Sequence, residues 1–185
     1  MRPRPLTEQA QLAVGRVLKP GERAVDATVG NGHDTLFLAR QVAPGGRVIG
    51  FDLQPQALAT ARARLAAAGL RHIVELQLCG HQQMSDRVPS GWPGHVAAVM
   101  FNLGYLPGGD KRRVTQAEHT LPALDQALRL LRIGGLVSLL VYRGHPGALQ
   151  EAEAVTSWLD ALDTRFRVTG HASPGPLLYL IRRLA

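Results

Sequence analysis

The chain has 185 residues, 45% apolar and 19% charged, which suits one domain with its own core and excludes a disordered or fibrous protein. A formal charge of +7 and a pI of about 10.7 point to a polyanionic partner such as nucleic acid; an arginine-rich composition is the plainer reading of the same excess. Cys79 is alone, no apolar run approaches the roughly 18 residues of a membrane span, and the basic start Met1–Pro5 lacks the apolar stretch of a signal peptide, so a cytoplasmic chain with no disulfide framework, no metal and no membrane contact is expected.

Thr7 is expected to cap a first helix that runs to about Leu18 and stops at Lys19-Pro20-Gly21. Strands and helices then alternate: a strand at Arg23–Val29, a helix at Asp34–Val42, a strand at Arg47–Asp52, and a helix opened by Pro55 and closed by Gly69. Strands follow at His72–Leu78 and His95–Phe101, the second almost wholly apolar as a buried parallel strand should be. Ser85–Gly94 reads as a surface loop. A long loop, Asn102–Gln116, leads to a helix at Ala117–Leu131, a strand at Leu136–Tyr142 and a helix at Ala148–Leu162. Two final β-leaning runs, Phe166–His171 and Leu177–Arg182, pair as a hairpin across Ser173-Pro174-Gly175. The expected fold is α/β: a single domain over residues 1–185, with a Rossmann-like, mostly parallel seven-stranded sheet, helices on both faces and an antiparallel C-terminal hairpin strand. That plan is typical of class I S-adenosylmethionine (SAM) methyltransferases.

In such sheets the ligand lies past the carboxyl ends of the strands, near the switch in strand order. Four segments meet there: Asp26–Thr35, Asp52–Gln54, Cys79–Gln82 and Asn102–Pro107. The first, Asp26-Ala27-Thr28-Val29-Gly30-Asn31-Gly32-His33-Asp34-Thr35, is a glycine turn between a strand and a helix. Asp52 follows at about the 20-residue offset of a carboxylate that binds a ribose hydroxyl. Thr35 stands where a dinucleotide site carries its third glycine, and an acid beside a pyrophosphate would repel it. SAM has no phosphate and carries positive sulfonium and amino groups, so Asp26 and Asp34 suit SAM better than NAD. Candidate cofactor residues are therefore Asp26, Thr28, Gly30, Asn31, Gly32, Asp34, Thr35, Asp52, Gln54, His81 and Asn102. Plainer readings stand beside these: Asp34 as a helix N-terminal charge, His81 as a core histidine.

Across the pocket, Asn102-Leu103-Gly104-Tyr105 is a variant of the (Asn/Asp)-Pro-Pro-(Tyr/Phe) motif of amino-group methyltransferases. The Asn102 side-chain carbonyl and the Leu103 backbone carbonyl can both accept from an N–H, which aims the nitrogen lone pair at the methyl carbon. Tyr105 can stack on a base. Asn102 and Tyr105 are the catalytic candidates; Leu103, Gly104, Tyr105, Asp110, Lys111, Arg112, Tyr142 and His145 are the substrate-binding ones. Lys111, Arg112 and Arg113 lie beside this loop, placed to meet the phosphates of a nucleic acid. Asp110, His119 and His145 are candidate bases.

The stretches Asp26–Thr35, Asn102–Lys111 and Val141–Gly147 resemble those of the YtqB/MnmM family, whose members are often labelled rRNA methylases, and the likeness runs from about Leu12 to Leu180. Two stretches depart from the family pattern: Arg143 stands where a second histidine is common, and Cys79-Gly80-His81 where a serine before the histidine is common. The resemblance implies SAM-dependent methylation of 5-aminomethyluridine, or its 2-thio form, at the tRNA wobble position, with the anticodon stem-loop as partner and a homodimeric assembly. An rRNA base or small-molecule amine as acceptor, and a non-catalytic SAM- or RNA-binding module, remain as alternatives.

Overall fold

The computed structural model describes residues 4–104, 114–144 and 146–185. Its elements are α1 (Leu6–Val17), β1 (Arg23–Asp26), α2 (His33–Val42), β2 (Arg47–Asp52), α3 (Pro55–Ala67), β3 (Val74–Leu78), α4 (Met84–Arg87), β4 (Val96–Leu103), α5 (Ala117–Leu130), β5 (Leu131–Val141), α6 (Ala148–Asp160), β6 (Phe166–Ala172) and β7 (Leu177–Arg183). The seven strands form one sheet in the order β3-β2-β1-β4-β5-β7-β6. The first five are parallel, and β7 inserts antiparallel between β5 and β6. The order reverses between β1 and β4, which opens a crevice at their carboxyl ends.

Alternate residues of the central strands feed two cores. Val25, Ile49, Phe51, Val99 and Phe101 pack on the face covered by α5 and α6. Ala24, Val48, Ala98 and Met100 pack on the face covered by α1 and α2. This two-sided burial is why the strands read as apolar runs without polar alternation.

Several boundaries differ from the sequence reading, each for a local reason. Helix α1 starts at Leu6 after Pro5, so Thr7 lies inside its first turn and is not the cap. Strand β1 ends at Asp26, whose carboxylate takes the backbone N–H of Thr28 and turns the chain out of the ladder. Strand β4 runs on through Asn102 and Leu103, which pair with Leu140 and Val141. Strand β5 starts at Leu131, directly after α5, with an irregularity in register before Leu136 and Gly134 at φ +76°. The stretch Ser85–Gly94 is not merely a surface loop: Val88 and Trp92 are buried in the core, and the Arg23 guanidinium lies 5.9 Å over the Trp92 ring. Gly69 closes α3 as expected, with Leu70 N donating to Leu65 O and Gly69 N to Ala66 O. No helix among the described residues is long and apolar enough to cross a membrane.

Candidate functional site

The turn between β1 and α2 is held from three sides. Gly30 and Gly32 take φ of +50° and +76°, values that L side chains rarely adopt. Asp52, at the end of β2, reaches across: its Oδ2 accepts from Gly30 N at 2.8 Å and its Oδ1 from Gln54 N at 2.8 Å. From α3, Arg64 donates through Nε to the Asn31 carbonyl at 2.9 Å. A Cβ on Gly32 would fall 2.7 Å from the Cβ and 2.8 Å from the Cα of Ala61, so backbone of the turn and α3 are in contact there. Gly32→Ala should cost about 1–3 kcal/mol of stability in urea unfolding, since both the clash and the left-handed φ oppose the side chain.

Asp26 and Thr35, expected against the ligand, are instead fully buried beneath the turn. The Thr35 hydroxyl donates to Asp26 Oδ2 at 2.6 Å, and Thr28 N to Oδ1 at 3.1 Å. Burial, with the negative charge of Asp34 next in importance, pushes the Asp26 carboxyl up to about 7 despite these two donors. His81 is also buried: Nδ1 donates to the Ala27 carbonyl at 3.2 Å, and the ring meets Phe101 edge-on at 5.7 Å. That places it under the turn, in the core. Burial lowers its pKa to about 4, so it is neutral at pH 7 with the proton on Nδ1.

These two shifts have opposite signs in stability. Asp26 holds its proton better when folded, so its contribution is complete below about 3.8 and is lost as pH rises through about 7. His81 holds its proton worse when folded, so its contribution is present above about 6.5 and lost as pH falls toward about 4. Asp26→Asn removes only the first. Its melting temperature should therefore rise relative to wild type as pH is raised from about 4 to about 7; parallel curves would count against the Asp26 assignment.

Asp34, in the first turn of α2, joins the turn to the acceptor side. Its Oδ1 accepts from Gln11 Nε2 at 2.7 Å and its Oδ2 from Asn102 Nδ2 at 2.5 Å. Asn102 N donates to the Thr28 hydroxyl at 2.7 Å. The Leu103 carbonyl, expected to be open to a substrate N–H, already accepts from Tyr142 N at 3.0 Å because the parallel ladder continues to this point. The Gly104 carbonyl accepts from Thr115 N at 2.9 Å, and Gly104 lies close against the Tyr142 side chain. The Tyr142 phenol is raised above its usual pKa by burial and then by the charge of Asp34. Asp52 is raised by burial, partly offset by its backbone donors. Gln54 is buried at the start of α3. Arg143 donates to the carbonyls of Gly175 and Ser173 and ties the end of β5 to the β6–β7 turn. Tyr105, Asp110, Lys111, Arg112, Arg113 and His145 lie outside the described residues. His119, the candidate base that lies within the described residues, is exposed, with Glu118 at 3.4 Å.

The sequence reading missed Gln11, Arg64 and Glu151. The first two act on partners 23 and 33 residues away and carry no local signal. Glu151 had one: it sits on the apolar stripe Ala148, Ala152, Val155, Leu159 of α6. Its buried carboxylate accepts from the hydroxyls of Thr115 at 2.7 Å and Thr120 at 2.6 Å, locking the return of the acceptor segment onto α5 and α6. A cavity of about 390 Å³ adjoins it, lined by Thr115, Gln116, Glu118, Gly147 and Gln150.

The site is thus an acidic pocket, with Asp34 and Asp52 around a glycine turn and Asp26 below, in an otherwise basic chain. It fits a cationic nucleoside ligand and disfavours a pyrophosphate. Among the described residues no group of three His, Cys, Asp or Glu side chains is placed to hold a metal.

Residues 48–173 match the family described as "Putative rRNA methylase". A relative from Arabidopsis thaliana, the chloroplastic tRNA (mnm(5)s(2)U34)-methyltransferase, is 40% identical over 161 residues, covering 82% of this chain and 58% of that protein, so the chain spans well under two thirds of its length. A "putative rRNA-methylase" from Clostridium thermocellum superposes with a TM-score of 0.93 at 37% identity, covering all of both chains. SMU.1697c from Streptococcus mutans, described as "a putative methyltransferase" and crystallised with SAH, gives 0.87 at 34% identity, again over both whole chains. The chain belongs to this rRNA methylase family, and its fold is that of the class I SAM-dependent methyltransferases.

Proposed function

We propose that this protein is a SAM-dependent N-methyltransferase that converts 5-aminomethyluridine, or its 2-thio form, to the 5-methylaminomethyl product at the wobble position of tRNA. The observation that carries the reading is Asn102: its NH₂ donates to Asp34, and its Oδ1, with no partner among the described residues, is the end that can accept from an amine. Bound SAM supplies a methyl group made electrophilic by the adjacent sulfonium. In this reading Asp52, which braces the glycine turn, takes the ribose hydroxyls, and Asp34, beside Asn102, supplies negative charge for the cationic end of the ligand. The similarity to a relative named for this tRNA position and the +7 charge both support an RNA substrate.

The acceptor is an alkylamine, protonated in water like a lysine side chain, and must lose a proton before it attacks. Removal from water beside the positive ligand lowers its pKa. Asn102 Oδ1 then takes one N–H and turns the nitrogen lone pair toward the methyl carbon. A C–N bond forms as the C–S bond breaks, and the surplus proton leaves the product ammonium. In this reading Tyr105 stacks on the splayed base, Asp110, Tyr142 and His145 line its pocket, and Lys111 and Arg112 meet the anticodon phosphates.

Nucleoside mass spectrometry of tRNA from a strain lacking the gene tests the proposal. Accumulation of 5-aminomethyluridine at the wobble position is expected. An unchanged wobble profile would move the activity to rRNA or to another acceptor.

A further inference from the structure

The two ends of a side-chain amide have opposite hydrogen-bonding character, and at Asn102 the difference decides what can react. With Oδ1 outward, the amide accepts from an N–H and leaves the nitrogen lone pair free. With Nδ2 outward, it would donate to that lone pair and occupy the electrons that must attack the methyl group. The orientation is set by Asp34. A carboxylate accepts and does not donate, so the end of Asn102 that lies 2.5 Å from Asp34 Oδ2 is its NH₂. The other carboxylate oxygen is held by Gln11 Nε2 at 2.7 Å, from α1. The backbone of Asn102 is fixed as well, through Thr28 Oγ1 at 2.7 Å and the ladder with β5.

We propose that Asp34 and Gln11 are positioning residues that fix the polarity of the Asn102 amide and thereby restrict the acceptor to a nucleophile that donates a hydrogen. The inference rests on Asn102 being the acceptor-orienting residue, but its physical content is independent of which RNA is the substrate. Asp34 acts through Asn102; Gln11 acts through Asp34 by keeping the carboxylate from rotating away.

The chain contains two asparagines, Asn31 and Asn102. Protein labelled with nitrogen-15 asparagine therefore shows two side-chain NH₂ pairs by NMR, and the pair missing in Asn102→Ala is that of Asn102. In the wild type its solvent exchange should be at least about tenfold slower than in Asp34→Asn, because a charge-assisted hydrogen bond is lost in the variant. Gln11→Leu should give an intermediate rate. With RNA and saturating SAM, Asp34→Asn should lower the single-turnover rate about tenfold with little change in the RNA concentration that gives half of it, since about half of the amides can then present the wrong end and the rest are less well held. Equal exchange rates for the Asn102 pair in wild type and Asp34→Asn would overturn the lock. Should Asp34→Asn not fold, the wild-type protein decides alone: exchange and chemical shift equal to those of free asparagine would overturn it. Slow exchange with no methyl transfer to tRNA would leave the lock standing and overturn the tRNA reading.

Discussion

Replacing Asn102 by alanine is expected to slow methyl transfer by about 10²-fold while SAM affinity stays near that of the wild type. The expectation follows from what each atom of Asn102 does. Its backbone N–H donates to Thr28 and its place in β4 is set by pairing with Leu140, and both survive truncation at Cβ. Lost are Nδ2, which faces Asp34, and Oδ1, which remains for the acceptor. With the Leu103 carbonyl already engaged by Tyr142 N, only its second lone pair remains to help orient an amine, so no full substitute for Oδ1 lies alongside it. Rapid-quench single turnover at saturating SAM, with calorimetry of SAM binding, separates the two steps. An unaffected transfer rate would remove Asn102 from the chemistry.

Asp52→Ala should have the complementary effect, raising the Kd for SAM by at least about 10²-fold, since hydrogen bonds to a charged group contribute about 1.5–3 kcal/mol each. The carboxylate does two jobs. It holds the glycine turn through Gly30 N and the start of α3 through Gln54 N, and its remaining lone pairs are those proposed for the ribose. Asp52→Asn should be nearly as damaging, because each oxygen already faces an N–H and an amide would turn a donor toward one of them. Burial raises the Asp52 pKa, so wild-type affinity should begin to fall at a higher pH than for an exposed aspartate as the carboxylate protonates. Calorimetric titrations across pH read both effects. Unchanged affinity in Asp52→Ala would sink the ribose assignment.

How much of this was legible beforehand varies with the range of the interaction. Strands β2 and β3, the turn at Gly30–Gly32 and the C-cap at Gly69 follow from local signals: apolar runs, left-handed glycines, proline at a helix start. Even the hairpin of β6 and β7 announces itself through the absence of a helix between two β-leaning runs. The insertion of β7 between β5 and β6 does not, because it depends on which sheet edge is left open once β5 has paired with β4. The burial of Trp92 escaped for a similar reason: polar neighbours in Ser85–Gly94 disguise a residue whose place is decided by Arg23 and the core beneath it.

In the site itself, the sequence alone determined which residue types converge past the strand ends, and hence that the pocket is acidic and suits a cation better than a pyrophosphate. Backbone connectivity is sufficient for that, since the strand ends of a doubly wound sheet meet at one crevice. Only the tertiary structure decided what each residue does there. It moved Asp26, Thr35 and His81 beneath the turn as its buried support, and it gave Asp34 two partners, Gln11 and Asn102, from distant parts of the chain. Hydrogen bonds between residues 23 and 68 positions apart leave no trace in spacing or periodicity. They exist because α1, α2 and β4 pack around the same point, and that packing is what fixes the polarity of the amide on which the proposed chemistry turns.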